Sequence, residues 1–216
     1  MATWIGAIID GARPAELRAA ALRHGLVGDV GEQPRLLVHA DVRLGSLGPP
    51  PFAKAISEEL GCTVVAFAVQ TTASVEDVEH WESGKLVRKL QYSGDEGGWI
   101  THDGERQPWE ATYFFAEDEG TEQDKSWPHN LDDELPHEDL ARYTRAREAR
   151  DASSIMDLIS GGSTGSVERL CRYFGLDPQR PGAVYRPRTN WKPRIMVAAI
   201  VLFLVGMVLL KALANP

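Results

Sequence analysis

Two histidine groups and one glycine-rich run hold the residue types from which an active site could be built. His39 ends the apolar stretch Arg35-Leu36-Leu37-Val38 and stands two positions before Asp41. An imidazole with a carboxylate beside it, at the end of a strand, is the arrangement of a general base and its orienting group. His129 and His137 lie eight residues apart among Asp132, Asp133, Glu134, Glu138 and Asp139. Imidazole and carboxylate donors of that kind suit a divalent cation. Ser163, within Gly161-Gly162-Ser163-Thr164-Gly165, offers a hydroxyl on a loop.

Each group also has a plainer reading. The His129–His137 spacing matches neither His-Glu-x-x-His nor a calcium loop, whose glycine and periodic acids are missing, so a solvated acidic loop is favoured. Near His39 no nucleophile stands in a suitable turn, because Gly45-Ser46-Leu47-Gly48 is one residue short of Gly-x-Ser-x-Gly. The run from Gly45 to Pro51 lacks the Gly-Lys-Ser/Thr of a phosphate loop, and its prolines remove amide donors. Cys62 and Cys171 show no metal-ligand or redox spacing and are expected to be buried, reduced thiols. No catalytic residue, cofactor-binding residue or metal ligand is therefore assigned. Trp81, Trp99, Trp109 and Trp127 cluster with Tyr92, Tyr113, Phe114 and Phe115. Most of these suit a core. Trp99 and Trp109 adjoin turns, and are expected on a surface where a protein partner docks.

The elements that would position these residues make an α+β fold. Thr3–Ile9 is β-branched and stops at Asp10-Gly11, as a strand does. Pro14 suits a first helical turn, with strong helix formers from Ala15 to Arg23. Arg35–Ala40 is a second strand, able to pair either way. Phe52–Leu60 is amphipathic, with Phe52, Ile56 and Leu60 on one face. Cys62–Val69 has no alternation, as expected of a strand covered on both faces. Val75–Trp81, Lys85–Tyr92, Trp99–Thr101 and Glu110–Phe115 then read as an antiparallel meander, giving one mixed sheet with helices on one side. This first domain covers residues 1–116, and an acidic loop covers 117–139. A helical extension, 140–176, includes Ser153–Ile159 and a helix from Ser166 with Val167, Leu170, Cys171 and Phe174 on one stripe. A basic, proline-rich linker, 177–194, leads to the final segment.

That segment, 195–214, is apolar around its whole circumference, with Gly206 the one interruption before Lys211. About 20 residues at roughly 1.5 Å each span the ~30 Å hydrocarbon core of a bilayer, so a single transmembrane helix is expected. Lys211 can snorkel to the headgroups. Gly206 has no small residue four positions away, so no helix-pairing face of the Gly-x-x-x-Gly type exists. Arg186, Arg188, Lys192 and Arg194 precede the span, which keeps the N-terminal domain cytoplasmic in a tail-anchored topology. The start of the chain reads as neither a signal peptide nor a myristoylation site. A formal net charge of −8 disfavours nucleic acid as a partner. The expectation is a membrane-tethered module that binds a protein partner at the lipid bilayer. The alternative is a membrane-anchored hydrolase using His39 and Asp41 or the His129–His137 loop.

Overall fold

A computed structural model of the chain describes residues 3–24, 26–27, 35–40, 48–115, 135–159, 162, 165–180 and 183–185. The elements run β1 (Thr3–Asp10), α1 (Pro14–His24), β2 (Leu26–Val27), β3 (Arg35–Ala40), α2 (Ala53–Leu60), β4 (Thr63–Gln70), β5 (Val75–Glu82), β6 (Lys85–Ser93) and β7 (Gly98–Gly104). Then come α3 (Glu110–Phe114), α4 (His137–Glu148), 3-10 turns at Ala152–Ser154 and Met156–Leu158, α5 (Ser166–Tyr173) and β8 (Ala183–Tyr185). The strands form one sheet in the order β2-β8-β3-β1-β4-β5-β6-β7. From β3 to β7 every neighbour is antiparallel, and β8 runs parallel to β3. The fold is α+β.

The central strands explain the layering. All interior positions of β4 are buried, so neither face of that strand meets water. On one face Ala7, Ile9, Val38 and Val64 pack with Leu17 of α1 and Ile56 of α2. On the other, Ile8, Leu37, Phe67, Val78 and Leu90 pack beneath Tyr113 and Phe114 of α3, Tyr143 of α4 and Leu170 of α5. Helices therefore cover both faces, where the chain order suggested one. The expected stripe of α5 is borne out, since Val167, Leu170, Cys171 and Phe174 are all buried.

Several local expectations are corrected. Glu110–Phe115, read as the closing strand of the meander, is instead the short helix α3. Helical spacing puts Trp109 and Tyr113 on one buried face, and the Gln107 N–H closes the first turn by donating to Glu110 Oε1 at 2.6 Å. The meander ends instead at β7, which runs on past Thr101 to Gly104. Ser153–Ile159 forms 3-10 turns rather than a continuous helix. Arg142 of α4 pairs with Asp157 at 2.8 Å. Ala183–Tyr185, within the stretch read as linker, forms β8. The acidic segment before Leu135 and the apolar span 195–214 lie outside the described residues. Among the described residues, no helix is long and apolar enough to cross a membrane.

Candidate functional site

Strand pairing lays one row of side chains across the sheet beneath α3. Trp4 lies opposite Val69, Val69 opposite Glu76, Glu76 opposite Tyr92, and Tyr92 opposite Trp99. Directly opposed residues share a face, and alternation along β5 puts Glu76, Val78 and His80 on the same side. Val78 belongs to the core on that side, so Glu76 points inward with it. A carboxylate in such a row must be hydrogen-bonded to remain there. Glu76 is 4 % exposed, and the Tyr113 hydroxyl donates to its Oε2 at 2.7 Å.

Two buried arginines hold the helix that carries Tyr113. At its start, Arg88 grips Glu110 with two bonds, Nε to Oε1 at 3.0 Å and Nη2 to Oε2 at 2.9 Å. The same guanidinium donates to the His102 and Gly104 carbonyls and to Ser153 Oγ, joining β6, β7, α3 and the first 3-10 turn. At the other end, Arg169 of α5 donates to the carbonyl oxygens of Thr112 and Tyr113 at 2.7–3.1 Å. Helix C-terminal carbonyls lack intrahelical partners and favour a cation. With both ends of α3 fixed, the Tyr113 hydroxyl has little freedom to leave Glu76.

Beside this pair a cavity of about 160 Å³ opens at the β4–β5 end of the sheet, lined by Val69, Gln70, Thr71, Ser74, Val75, Glu76, Tyr92 and Gly162. Gly162 is the point of closest approach. A Cβ there would lie 2.6 Å from Glu76 Oε1 and 3.1 Å from a Tyr92 ring carbon. Burial, and then the negative charge of Glu76, raise the Tyr92 hydroxyl above its ordinary pKa, while the Gly162 backbone partly opposes them. The same two causes hold Tyr113 well above its ordinary value. Both hydroxyls stay protonated near neutrality, and the site presents a carboxylate, phenol groups and an aromatic wall.

The residues singled out in the sequence fall elsewhere. His39 ends near the edge of Trp4, with ring centroids 5.7 Å apart, and burial lowers its pKa. Its companion Asp41 lies outside the described residues, as do His129, Asp132, Asp133, Glu134 and Ser163. His137, Glu138 and Asp139 form the first turn of α4, the first two exposed and Asp139 half-buried. Among the described residues, no group of three or more His, Cys, Asp or Glu is placed to hold a metal ion. Burial raises Cys62 to about 11 and Cys171 to about 12, which leaves both thiols unreactive. The expected aromatic surface is not there. Trp99 is 8 % exposed against Tyr92 and Phe114, and Trp109 is 2 % exposed with its indole N–H donating to His80 Nδ1 at 3.1 Å. Their neighbouring turns face water, but the side chains turn inward because α3 folds back over β5–β7.

Glu76 was legible only through parity. In Val75-Glu76-Asp77-Val78 the acids look like a solvated face, and the inward position follows only once Val78 is known to be core. Arg88 and Glu110, 22 residues apart, carried no sequence signal of their pairing. A family model described as a family of unknown function (DUF6928) matches residues 13–149. No curated protein and no solved structure matches the chain.

Proposed function

This chain belongs to the family of unknown function DUF6928, and from that premise we propose that it is a tail-anchored membrane protein whose cytoplasmic α+β domain binds a protein partner at the bilayer. The cavity beside Glu76 carries the binding half of this reading. Its carboxylate, Glu76, is oriented in advance by Tyr113 of α3, so a ligand meets it with little ordering cost. That is the property of a receptor site. His80 accepts from Trp109, and both thiols are held protonated by burial.

The anchoring half rests on the apolar run 195–214 and the basic residues that precede it. Such a tether raises the local concentration of a weak binder for partners in the same membrane, so modest contacts suffice. Anionic headgroups would attract the basic collar in addition.

A photo-crosslinking amino acid in place of Thr71, an exposed residue at the cavity rim, tests the binding reading in intact cells. The expected result is a discrete protein adduct that disappears when Glu76→Gln is combined with it. Adducts that are absent, or unchanged by Glu76→Gln, would count against partner binding at this site.

A further inference from the structure

At the start of α3 one buried imidazole is bonded in a way that admits only its neutral form. We infer that acid unlatches the start of α3 from β5 through His80. This residue is 5 % exposed, and its Nδ1 accepts the Trp109 indole N–H at 3.1 Å. A neutral imidazole has one donor and one acceptor, so the ring proton sits on Nε2. A second proton can go only to Nδ1, where it would meet the indole N–H donor to donor. Trp109 is 2 % exposed and immediately precedes α3. Its carbonyl oxygen accepts the Thr112 and Tyr113 amides at 3.1 and 2.9 Å. Displacing Trp109 therefore loosens the first turn of the helix.

The charges around His80 give this latch its two states. Arg88 of β6 lies directly opposite in register, on the same face, and disfavours a second cation there. That guanidinium is committed to Glu110, the first residue of α3. On the other side β4 places apolar Val65 opposite His80. Asp151, which precedes the first 3-10 turn, is paired with Arg106 at 3.6 Å. Nε2 has no hydrogen-bond partner among the described residues, and Glu82 Oε1 lies 3.6 Å from it. A charged ring thus loses Trp109 and gains Glu82. Burial outweighs the pull of Glu82 and lowers the His80 pKa below 6.5, so the latch is closed at neutrality and opens in acid. The far end of α3 stays tied, because Arg169 bonds the Thr112 and Tyr113 carbonyls.

Hydrogen exchange read by mass spectrometry, on the full-length protein in detergent at pH 7.5 and pH 4.5, tests this device. Each rate is divided by the intrinsic rate at its pH. Protection of residues 110–113 is expected to fall about tenfold or more on acidification, while that of β4 holds. In His80→Gln the side-chain oxygen can still accept the indole N–H but takes no proton, so the fall should vanish. Where that chain does not fold, Glu82→Gln, at a position 55 % exposed, removes the attraction for the charged ring. The fall should then move to lower pH. Wild-type protection that is equal at both pH values overturns the inference. So does a fall shared with β4, which is opening of the whole domain, or one that persists in His80→Gln or does not move in Glu82→Gln. Membrane association is read separately, by sedimentation, and stands or falls on its own.

Discussion

Asp77→Asn should stabilise the domain at neutral pH. Asp77 follows Glu76 on β5 and therefore faces the opposite side of the sheet, facing Ala68 on one neighbour and Gln91 on the other. It is 9 % exposed, and its Oδ1 has no hydrogen-bond partner among the described residues. Burial raises its pKa from 3.8 to about 6, with Lys89 opposing and Glu79 adding to the shift. An acid whose folded value lies above its unfolded value binds more protons when folded. Its ionisation therefore costs stability as pH rises from about 4 to about 6, and the full cost is present at pH 7. About two units of difference correspond to about 3 kcal/mol. Asparagine avoids the charge but still buries an amide, so a net gain of about 1–2 kcal/mol is expected. Urea denaturation of the full-length protein in detergent, followed by tryptophan emission, gives the comparison. The variant should exceed the wild type at pH 7.5, and the difference should shrink towards zero or reverse by pH 4. A difference that does not vary with pH, or a variant less stable at pH 7.5, would show that Asp77 is not held in a desolvated position.

Other perturbations test the frame around the cavity. Arg88→Ala leaves Glu110, 1 % exposed, without its counter-ion and should cost about 3–5 kcal/mol in the same unfolding assay. Arg88→Met with Glu110→Leu should recover much of that loss, because the uncompensated charge is then gone. His80 behaves oppositely to Asp77. Burial lowers its pKa below 6.5, against the pull of Glu82, so its contribution is complete above pH 6.5 and is lost as pH falls through the folded value. Protonation at Nδ1 would break the bond from Trp109, and a His80→Gln chain should lose the acid-dependent change in Trp109 emission. Trp109→Ala should destabilise by about 3–5 kcal/mol, as a core residue does, where a surface docking residue would leave unfolding almost unchanged. Cys62 and Cys171 should resist a thiol reagent at pH 8 until denaturant is added, which absorbance reads directly.

The sheet was largely legible in the sequence because its strands are chemically distinctive. Cys62–Val69 carries no polar residue after Thr63, and a strand that reads so must be covered on both sides. That single observation already implied two helical layers, although the order of elements suggested one. The helix α3 was hidden because Glu-Ala-Thr-Tyr-Phe-Phe is short and aromatic, and such runs fit either period. What decides it is a contact far away in sequence, the grip of Arg88 on Glu110. Arg88 itself is a charged residue on the inward-facing side of β6. It lies on the buried face with Leu90 and Tyr92, where its charge is paired. Trp99 and Trp109 were placed outside by their neighbouring turns, yet a turn sets the path of the backbone and not the direction of the side chain. The candidate site gave even less warning. Glu76 comes from β5, Tyr92 from β6, Tyr113 from α3 and Gly162 from the glycine-rich run, and no motif joins residues so scattered.

Everything proposed for the cavity supposes that this domain works at a membrane surface. Cells expressing the full-length chain, and a second chain ending at Arg186, the last residue of the compact unit that begins at Met1, should be lysed without detergent, spun at high speed and washed at alkaline pH. The full chain should remain in the pellet and the shortened chain in the supernatant. A full chain recovered from the supernatant alongside the shortened one would contradict the account.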